Sequence, residues 1–227
     1  MGHGLQGATI VFDLDGTLVD TAPDLLRALN AVLVEAGLRP APEAAVRHLV
    51  GHGARAMLEG GAALAGIRLP GERLDALTER FVEIYRADIA LLSRPFPGAE
   101  AALDTLMAEG ALLAVCTNKR TQLSIQLLEE LGLAFRFAAI VGADAVPSRK
   151  PDPAHLIETV HRAGGAATRA IMVGDSAADI AAAKGAGIPV VAVTFGYGED
   201  VETLEPDHIL ADFASLRTLA RAALRQD

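Results

Sequence analysis

The residues best suited to chemistry are two aspartates that follow a short apolar run near the start of the chain. Asp13 and Asp15 flank Leu14 and come after the strand pattern of residues 8–12. Because side chains alternate along an extended segment, the two carboxylates are expected to point the same way. Like charges this close need a nearby cation or a shared proton. Either condition suits phosphoryl transfer, in which one carboxylate attacks phosphorus, another moves protons and a magnesium ion neutralises phosphate oxygens.

The pair also has a plainer interpretation, as a turn with spare acids or as part of a calcium-binding loop. A calcium loop needs further oxygen ligands at alternate positions, and residues 17–19 are mostly apolar. Gly16 ends the predicted strand, and open α/β sheets bind their ligands at the carboxyl ends of strands. The position of the two acids therefore favours a chemical role.

Two later segments place polar groups where a phosphate could be held. Thr117 and Asn118 follow the strand pattern of residues 111–116, and their hydroxyl, amide and backbone donors suit phosphate oxygens. Taken alone, they also fit an ordinary turn. Lys150 precedes two prolines that restrict the backbone, so its ammonium is suited to lie over a phosphate. A lone loop lysine is more often solvated.

A third segment repeats the opening arrangement of an apolar strand, a glycine and then acids. Asp175 follows Gly174, and Asp179 comes four residues later. Asp175 is suited to complete a magnesium site with Asp13, and Asp179 to ligate the ion or to position a water molecule beside it. In isolation, Asp175 and Ser176 also read as caps of the following helix.

Two kinds of pattern surround these residues and predict how they are positioned. Between residues 22 and 92 the spacing of apolar residues is helical, without an intervening strand. From Gly98 onwards helix and strand patterns alternate, which implies a mainly parallel sheet. We therefore predict an α/β protein with a doubly wound, Rossmann-like core, residues 1–19 and 96–227, and an inserted all-helical domain, residues 20–95. The four predicted helices of the insert are residues 22–37, 42–50, 54–65 and 72–92.

In their order and setting these parts resemble the haloacid dehalogenase-like hydrolases. The resemblance rests on DLDGT from Asp13, a threonine, a lysine, and GDSAAD ending at Asp179, and it covers nearly the whole chain. It implies that Asp13 is the nucleophile and Asp15 the general acid and then the base. It also implies that Thr117 and Lys150 stabilise the phosphate and the aspartyl-phosphate intermediate.

The same resemblance implies a magnesium ion bound by Asp13, Asp15 and Asp175, with Asp15 contributing its backbone carbonyl. Asp179 completes the predicted set of metal residues. Gly16 joins Thr117, Asn118 and Lys150 as a predicted phosphate-binding residue.

By this resemblance the inserted helices are expected to form a mobile cap that closes over the site and excludes water. The glycines of the loop at residues 50–55 allow close backbone approach, and His52 or Arg55 is suited to pair with a carboxylate. Gly51, His52, Gly53 and Arg55 are therefore predicted substrate-binding residues. The alternative is a helix–helix turn with a solvated arginine and a surface histidine.

Four further stretches together resemble the phosphoglycolate phosphatases: the VGxG loop of the insert, residues 96–98, residues 149–153, and residues 195–198 before 205–207. This resemblance implies a small phosphomonoester substrate, and phosphoglycolate is the one that we expect first. The alternatives are N-acetylmuramic acid 6-phosphate or another sugar phosphate, pyrophosphate, or the chemistry of a hexose-phosphate mutase. A receiver-like module that holds its phosphoryl group is the non-enzyme alternative, and turnover distinguishes it.

Composition and charge narrow the possible partners. A formal net charge of −9 over 227 residues argues against binding nucleic acid, whose phosphates recruit basic surfaces. No apolar run is long enough to cross a bilayer, and residues 1–8 lack the pattern of a secretory signal. The single cysteine, Cys116, fits a reducing compartment. We expect a cytoplasmic monomer or homodimer.

Overall fold

The structure, a computed structural model, describes residues 4–198 and 200–224 and divides them into two compact units. Thr21–Arg94 form one unit, and the described residues before and after this segment form the other. Residues 1–3, 199 and 225–227, which the sequence assigned to the core, lie outside the described residues. The role of the inserted unit as a cap stays a prediction.

The larger unit is built on a six-stranded sheet in which every pair of neighbouring strands is parallel. In chain order the strands, including two short ones outside this sheet, are β1 (Thr9–Phe12), β2 (Val19–Asp20), β3 (Arg94–Pro95), β4 (Leu112–Cys116), β5 (Ala139–Val141), β6 (Ala170–Gly174), β7 (Val190–Val193) and β8 (His208–Leu210). The spatial order is β5-β4-β1-β6-β7-β8. The chain therefore extends the sheet first on one side of β1 and then on the other, which confirms the predicted α/β class.

Nine α-helices are found among the described residues, four in the inserted unit and five in the larger one. They are α1 (Ala22–Glu35), α2 (Glu43–Val46), α3 (Ala54–Leu64), α4 (Gly71–Ala87), α5 (Ala99–Ala108), α6 (Thr121–Glu130), α7 (Pro153–Arg162), α8 (Ala177–Ala186) and α9 (Leu216–Ala223). In this described part of the chain, no helix has both the length and the apolar character needed to span a membrane.

Strand β1 lies at the middle of the sheet and is fully buried along its length. Its β-branched and aromatic side chains suit a strand that is covered on both faces. Phe12 pairs with Val115 of β4 and with Val173 of β6, so the three strands end at nearly the same level. The residues that follow them are thereby brought to one edge of the sheet, at the point where the strand order reverses. This is where doubly wound sheets bind ligands.

The inserted unit departs from the prediction at α4, which ends at Ala87 although the apolar spacing predicts a helix over residues 72–92. The reason is the buried carboxylate of Asp24 in α1. Its Oδ2 accepts hydrogen bonds from the backbone N–H of Leu92 at 2.8 Å and of Ser93 at 2.7 Å. These amides satisfy a buried charge instead of continuing the helix.

The segment at residues 42–50 was predicted to form one helix and is interrupted. Helix α2 is followed by a single 3₁₀ turn, Arg47–Leu49. The chain leaves the helical region at Val50, which is extended with a ψ of 136°. Gly51 then adopts a φ of +89°, which a glycine accommodates without strain.

Candidate active site

The acids predicted from the sequence meet at the carboxyl edge of the sheet. Asp13 follows β1, Asp175 follows β6, and Asp179 lies in the first turn of α8. One carboxylate oxygen from each lies within 4.8 Å of the others, and all three residues are buried. The ends of neighbouring parallel strands thus concentrate negative charge in a buried part of the protein.

The Asp13 carboxylate contacts a lysine and lies close to two other acids. Its Oδ1 accepts the N–H of Leu14 at 2.7 Å and lies 2.9 Å from Nζ of Lys150. Burial raises the pKa of Asp13 to about 8 against the attraction of Lys150, and repulsion from Asp179 and Asp175 adds to the increase. An additional cation would favour the ionised form that a nucleophile requires.

Lys150 supplies a buried positive charge to this cluster. Its Nζ donates to Oδ1 of Asp179 at 2.6 Å while it also contacts Asp13. Burial opposes the charged form, but the two carboxylates outweigh it and raise the pKa of Lys150 above its ordinary value. Asn118 contributes by donating from Nδ2 to the Lys150 carbonyl at 3.1 Å. The Asn118 side chain thus holds the lysine loop, and its predicted phosphate contact stays a prediction.

Asp179 uses both carboxylate oxygens within the protein. Oδ2 accepts the N–H of Ser176 at 3.0 Å and its hydroxyl at 2.6 Å, which completes a reciprocal cap at the start of α8. Oδ1 accepts from Lys150. The cap that the sequence suggested is therefore formed by Ser176 together with Asp179. These contacts favour a role for Asp179 in orienting Lys150, and direct metal ligation by Asp179 stays a prediction.

Asp175 is oriented by hydrogen bonds from two different loops. Its Oδ1 accepts from the Thr17 hydroxyl at 2.8 Å. Its Oδ2 accepts from the backbone N–H groups of Tyr197 at 2.8 Å and of Gly198 at 3.3 Å. Burial raises the pKa of Asp175 to about 6, Asp179 adds to the rise, and these hydrogen bonds oppose it. The carboxylate is therefore fixed in direction before any ligand binds.

Glycines allow these loops to approach Asp175. A Cβ on Gly196 would lie 2.3 Å from Cβ of Asp175, and one on Gly198 would lie 1.8 Å from its carbonyl oxygen. Gly16 has a φ of +85°, and a Cβ there would lie 2.5 Å from Oδ2 of Asp175. The Gly16 N–H donates to the Val19 carbonyl at 3.0 Å. Gly16 thus makes room for Asp175, while its predicted phosphate contact stays a prediction.

Replacing Gly196 by alanine is expected to lower kcat/KM by at least about tenfold and to raise the magnesium concentration needed for half-maximal activity, because the added methyl group displaces Asp175. Steady-state kinetics over a magnesium titration measure both effects. Gly71→Ala is the matched control, since its added Cβ meets nothing within 4 Å. Unchanged kinetics in Gly196→Ala would show that the position of Asp175 is unimportant.

Asp15 lies outside the three-acid cluster and pairs with Lys119, a residue that the sequence prediction did not include. Nζ of Lys119 donates to Oδ1 of Asp15 at 2.6 Å, and the two side chains are only 6% and 5% exposed. The N–H of Lys119 also donates to Oγ1 of Thr117 at 3.1 Å. The sequence could have pointed to Lys119 by its position, two residues after Thr117 and beyond the end of β4. The roles predicted for Asp15 and Thr117 stay predictions.

His155 is a second residue that the sequence prediction did not include. Its Nδ1 accepts the backbone N–H of Lys150 at 3.3 Å, and its Nε2 lies 3.1 Å from the carbonyl of Val141. Because a carbonyl only accepts, Nε2 carries the proton and the ring is neutral. Burial and the charge of Lys150 lower the pKa of His155 to about 4. A lone histidine in a helix gives no sequence signal of this role.

The depressed pKa of His155 predicts a loss of stability in mild acid. From about pH 6.5 down to about pH 4 the unfolded chain binds a proton at His155 that the folded protein excludes, so stability falls as the pH falls. Between pH 7 and pH 5 the parent should lose about 1–2 kcal/mol more than His155→Asn, which keeps an acceptor but does not titrate. Urea unfolding at both pH values measures the difference. Equal losses in the two proteins would contradict the assignment of a neutral, buried imidazole.

The residues predicted to bind the leaving group lie in the inserted unit. Gly51 and Gly53 both have positive φ values, +89° and +99°, and His52 is exposed. Arg55 is 51% exposed, forms an ion pair with Asp75 and lies 3.6 Å from Glu59. Substrate contact by these four residues therefore stays a prediction.

The charges of the site fit a divalent cation. Four buried carboxylates, Asp13, Asp15, Asp175 and Asp179, face two buried ammonium groups, Lys119 and Lys150. This leaves two formal negative charges, which a divalent ion would balance. An all-oxygen donor set is the type that hard cations such as Mg²⁺ prefer.

Comparison with known proteins supports this interpretation. The pattern of the haloacid dehalogenase-like hydrolases matches residues 10–193. A phosphoglycolate phosphatase of Caulobacter vibrioides is 51% identical over 212 residues, 93% of this chain and 90% of that protein. One from Agrobacterium fabrum is 49% identical over 207 residues, covering 91% and 89%. The crystal structure of a predicted phosphoglycolate phosphatase from Haemophilus somnus has a TM-score of 0.87 at 31% identity, covering 96% of this chain and 99% of that one. The resemblance inferred from the motifs is thus confirmed, and the chain belongs to the haloacid dehalogenase-like hydrolases.

Proposed function

We propose that this chain is a magnesium-dependent phosphomonoester hydrolase that acts on phosphoglycolate through an aspartyl-phosphate on Asp13. The observation that carries the proposal is the buried arrangement of Asp13, Asp175 and Lys150 at the carboxyl edge of the sheet. It joins a nucleophile, a site for a cation and a fixed ammonium within one small volume. The names of relatives up to 51% identical support the choice of substrate.

Asp13 attacks phosphorus in line with the ester oxygen, and the P–O bond to the leaving group breaks. Asp15 gives its proton to that oxygen and then takes one from the water that hydrolyses the aspartyl-phosphate. Lys150 compensates the negative charge of the phosphoryl oxygens, and the Thr117 hydroxyl donates to one of them. When bound by Asp13, Asp175 and the Asp15 carbonyl, magnesium would supply the remaining positive charge.

The ion pair between Lys150 and Asp179 keeps the ammonium beside the nucleophile. A lysine is long and flexible, and fixing it with a second carboxylate reduces the entropy lost when the phosphate binds. The capping contacts of Asp179 with Ser176 in turn fix that carboxylate at the start of α8. We infer that Asp179 acts on catalysis through Lys150.

Phosphate release tests the proposed function directly. The purified protein is assayed with and without magnesium on phosphoglycolate, N-acetylmuramic acid 6-phosphate, glucose 6-phosphate, glucose 1,6-bisphosphate and pyrophosphate. We expect release that a chelator abolishes and that excess magnesium restores, with the highest kcat/KM for phosphoglycolate. If kcat/KM is higher for a sugar phosphate, that compound and not phosphoglycolate is the preferred substrate. A single phosphorylation without turnover would favour the receiver-like alternative.

A further inference from the structure

Lys119 brings a second buried cation beside Asp15, the residue that we propose protonates the leaving group. Its side chain is 6% exposed, and its Nζ lies 2.6 Å from Oδ1 of Asp15. The backbone N–H of Lys119 donates to Thr117 Oγ1, which ties the lysine to the end of β4. The other buried lysine of the site, Lys150, contacts Asp13 and Asp179 instead. The two ammonium groups therefore contact different acids of the site.

The pairing with Asp15 determines what Lys119 can reach. A general acid must come within hydrogen-bond distance of the oxygen that it protonates. If Oδ1 of Asp15 contacts the ester oxygen, Nζ of Lys119 lies within about two hydrogen-bond lengths, roughly 6 Å, of that oxygen. In phosphoglycolate the carboxylate is joined to the ester oxygen through a single methylene carbon. A carboxylate at this position can reach ion-pair distance of Nζ when the leaving group turns towards Lys119.

We propose that Lys119 binds the carboxylate of the leaving group and sets the preference for a phosphorylated 2-hydroxy acid. This inference rests on the proposed function. In the absence of substrate the ammonium is compensated by Asp15. When substrate binds and Asp15 acts as the acid, the ammonium pairs with the carboxylate of the leaving group instead. An uncharged leaving group gains nothing from this cation and displaces water from it, so it binds less well.

The test compares two substrates of the same shape. Phosphoglycolate carries a carboxylate where phosphoglycolamide carries a neutral amide. The measured quantity is the kcat/KM for phosphoglycolate divided by that for phosphoglycolamide. In Lys119→Met we expect this ratio to fall about 10- to 100-fold, mainly through a higher KM for phosphoglycolate. Lys119→Arg, which keeps the charge, should retain most of the preference. Lys184→Met, a change at an exposed lysine that donates to the Leu204 carbonyl, should leave the ratio unchanged.

The outcomes separate recognition from positioning. Loss of activity by the same factor on both substrates would overturn the inference and would show that Lys119 only positions Asp15. A parent enzyme that does not distinguish the two substrates would also overturn it. No magnesium-dependent release from either substrate by the parent would reject the proposed function itself. If Lys119→Met does not fold, Lys119→Gln provides the same comparison, because it keeps a donor for Asp15 without the charge.

Discussion

Asp13→Asn is expected to release phosphate at least about a thousandfold more slowly than the parent, because an amide does not attack phosphorus in place of a carboxylate. Asparagine keeps the shape of the side chain and the acceptor for the Leu14 N–H. The comparison therefore removes the nucleophile and the negative charge that faces Lys150, while the shape of the side chain stays the same. Phosphate release from phosphoglycolate at saturating magnesium measures the effect.

The same variant also tests whether the site is built for chemistry at the cost of stability. Burial and neighbouring acids disfavour an ionised Asp13, so a neutral side chain should leave the melting temperature equal or higher. A folded Asp13→Asn protein whose rate stays within about tenfold of the parent would contradict the assignment of the nucleophile.

Lys150→Met is expected to affect both activity and stability strongly. The substitution removes the cation between Asp13 and Asp179 and leaves two buried carboxylates facing each other. Breaking a buried ion pair by removing one partner costs about 3–5 kcal/mol. We expect a loss of that order in the free energy of unfolding without magnesium, together with at least about a hundredfold lower kcat. Urea unfolding and steady-state kinetics measure the two effects.

Magnesium provides the internal control for this variant. A bound divalent cation would compensate part of the excess negative charge, so magnesium should stabilise Lys150→Met more than it stabilises the parent. Lys184→Met removes an exposed lysine and should behave as the parent does. A free energy of unfolding within about 1 kcal/mol of the parent would show that Lys150 does not hold the acid cluster together.

Local sequence patterns predicted much of the fold of the larger unit. An unbroken apolar run predicted β1, and the alternation after Gly98 predicted a mainly parallel sheet. In the structure the six-stranded sheet is parallel throughout. Because parallel strands expose their carboxyl ends at one edge, Asp13 and Asp175 were expected to meet although they are far apart in sequence. The site geometry brings together carboxylates that follow two neighbouring strands.

What escaped prediction depends on contacts between distant residues. The end of α4 is set by Asp24, whose carboxylate binds the Ser93 amide 69 positions along the chain. The pairs Lys119 with Asp15 and His155 with the Lys150 amide likewise join side chains that no local spacing connects. Periodicity reports which face of an element is buried, and it carries no information about such individual partners.

The inserted unit shows a different limit. The glycines at positions 51 and 53 were expected to allow close backbone approach to a substrate, and both have positive φ values. Arg55 was expected to pair with a substrate carboxylate; in the structure it forms an ion pair with Asp75, and the substrate contact stays a prediction. A surface arginine near several acids finds a partner at little cost, so its type and position alone do not define a binding residue.

Trapping the phosphorylated enzyme tests the central claim most directly. In Asp15→Asn the aspartyl-phosphate should form from p-nitrophenyl phosphate, whose leaving group needs no proton, and should accumulate because no base activates water. After an acid quench, mass spectrometry of the peptide that contains Asp13 should show one added phosphoryl group, which hydroxylamine removes and which Asp13→Asn lacks. Phosphate release without a phosphoryl group on Asp13, or with one on another residue, would contradict Asp13 as the nucleophile.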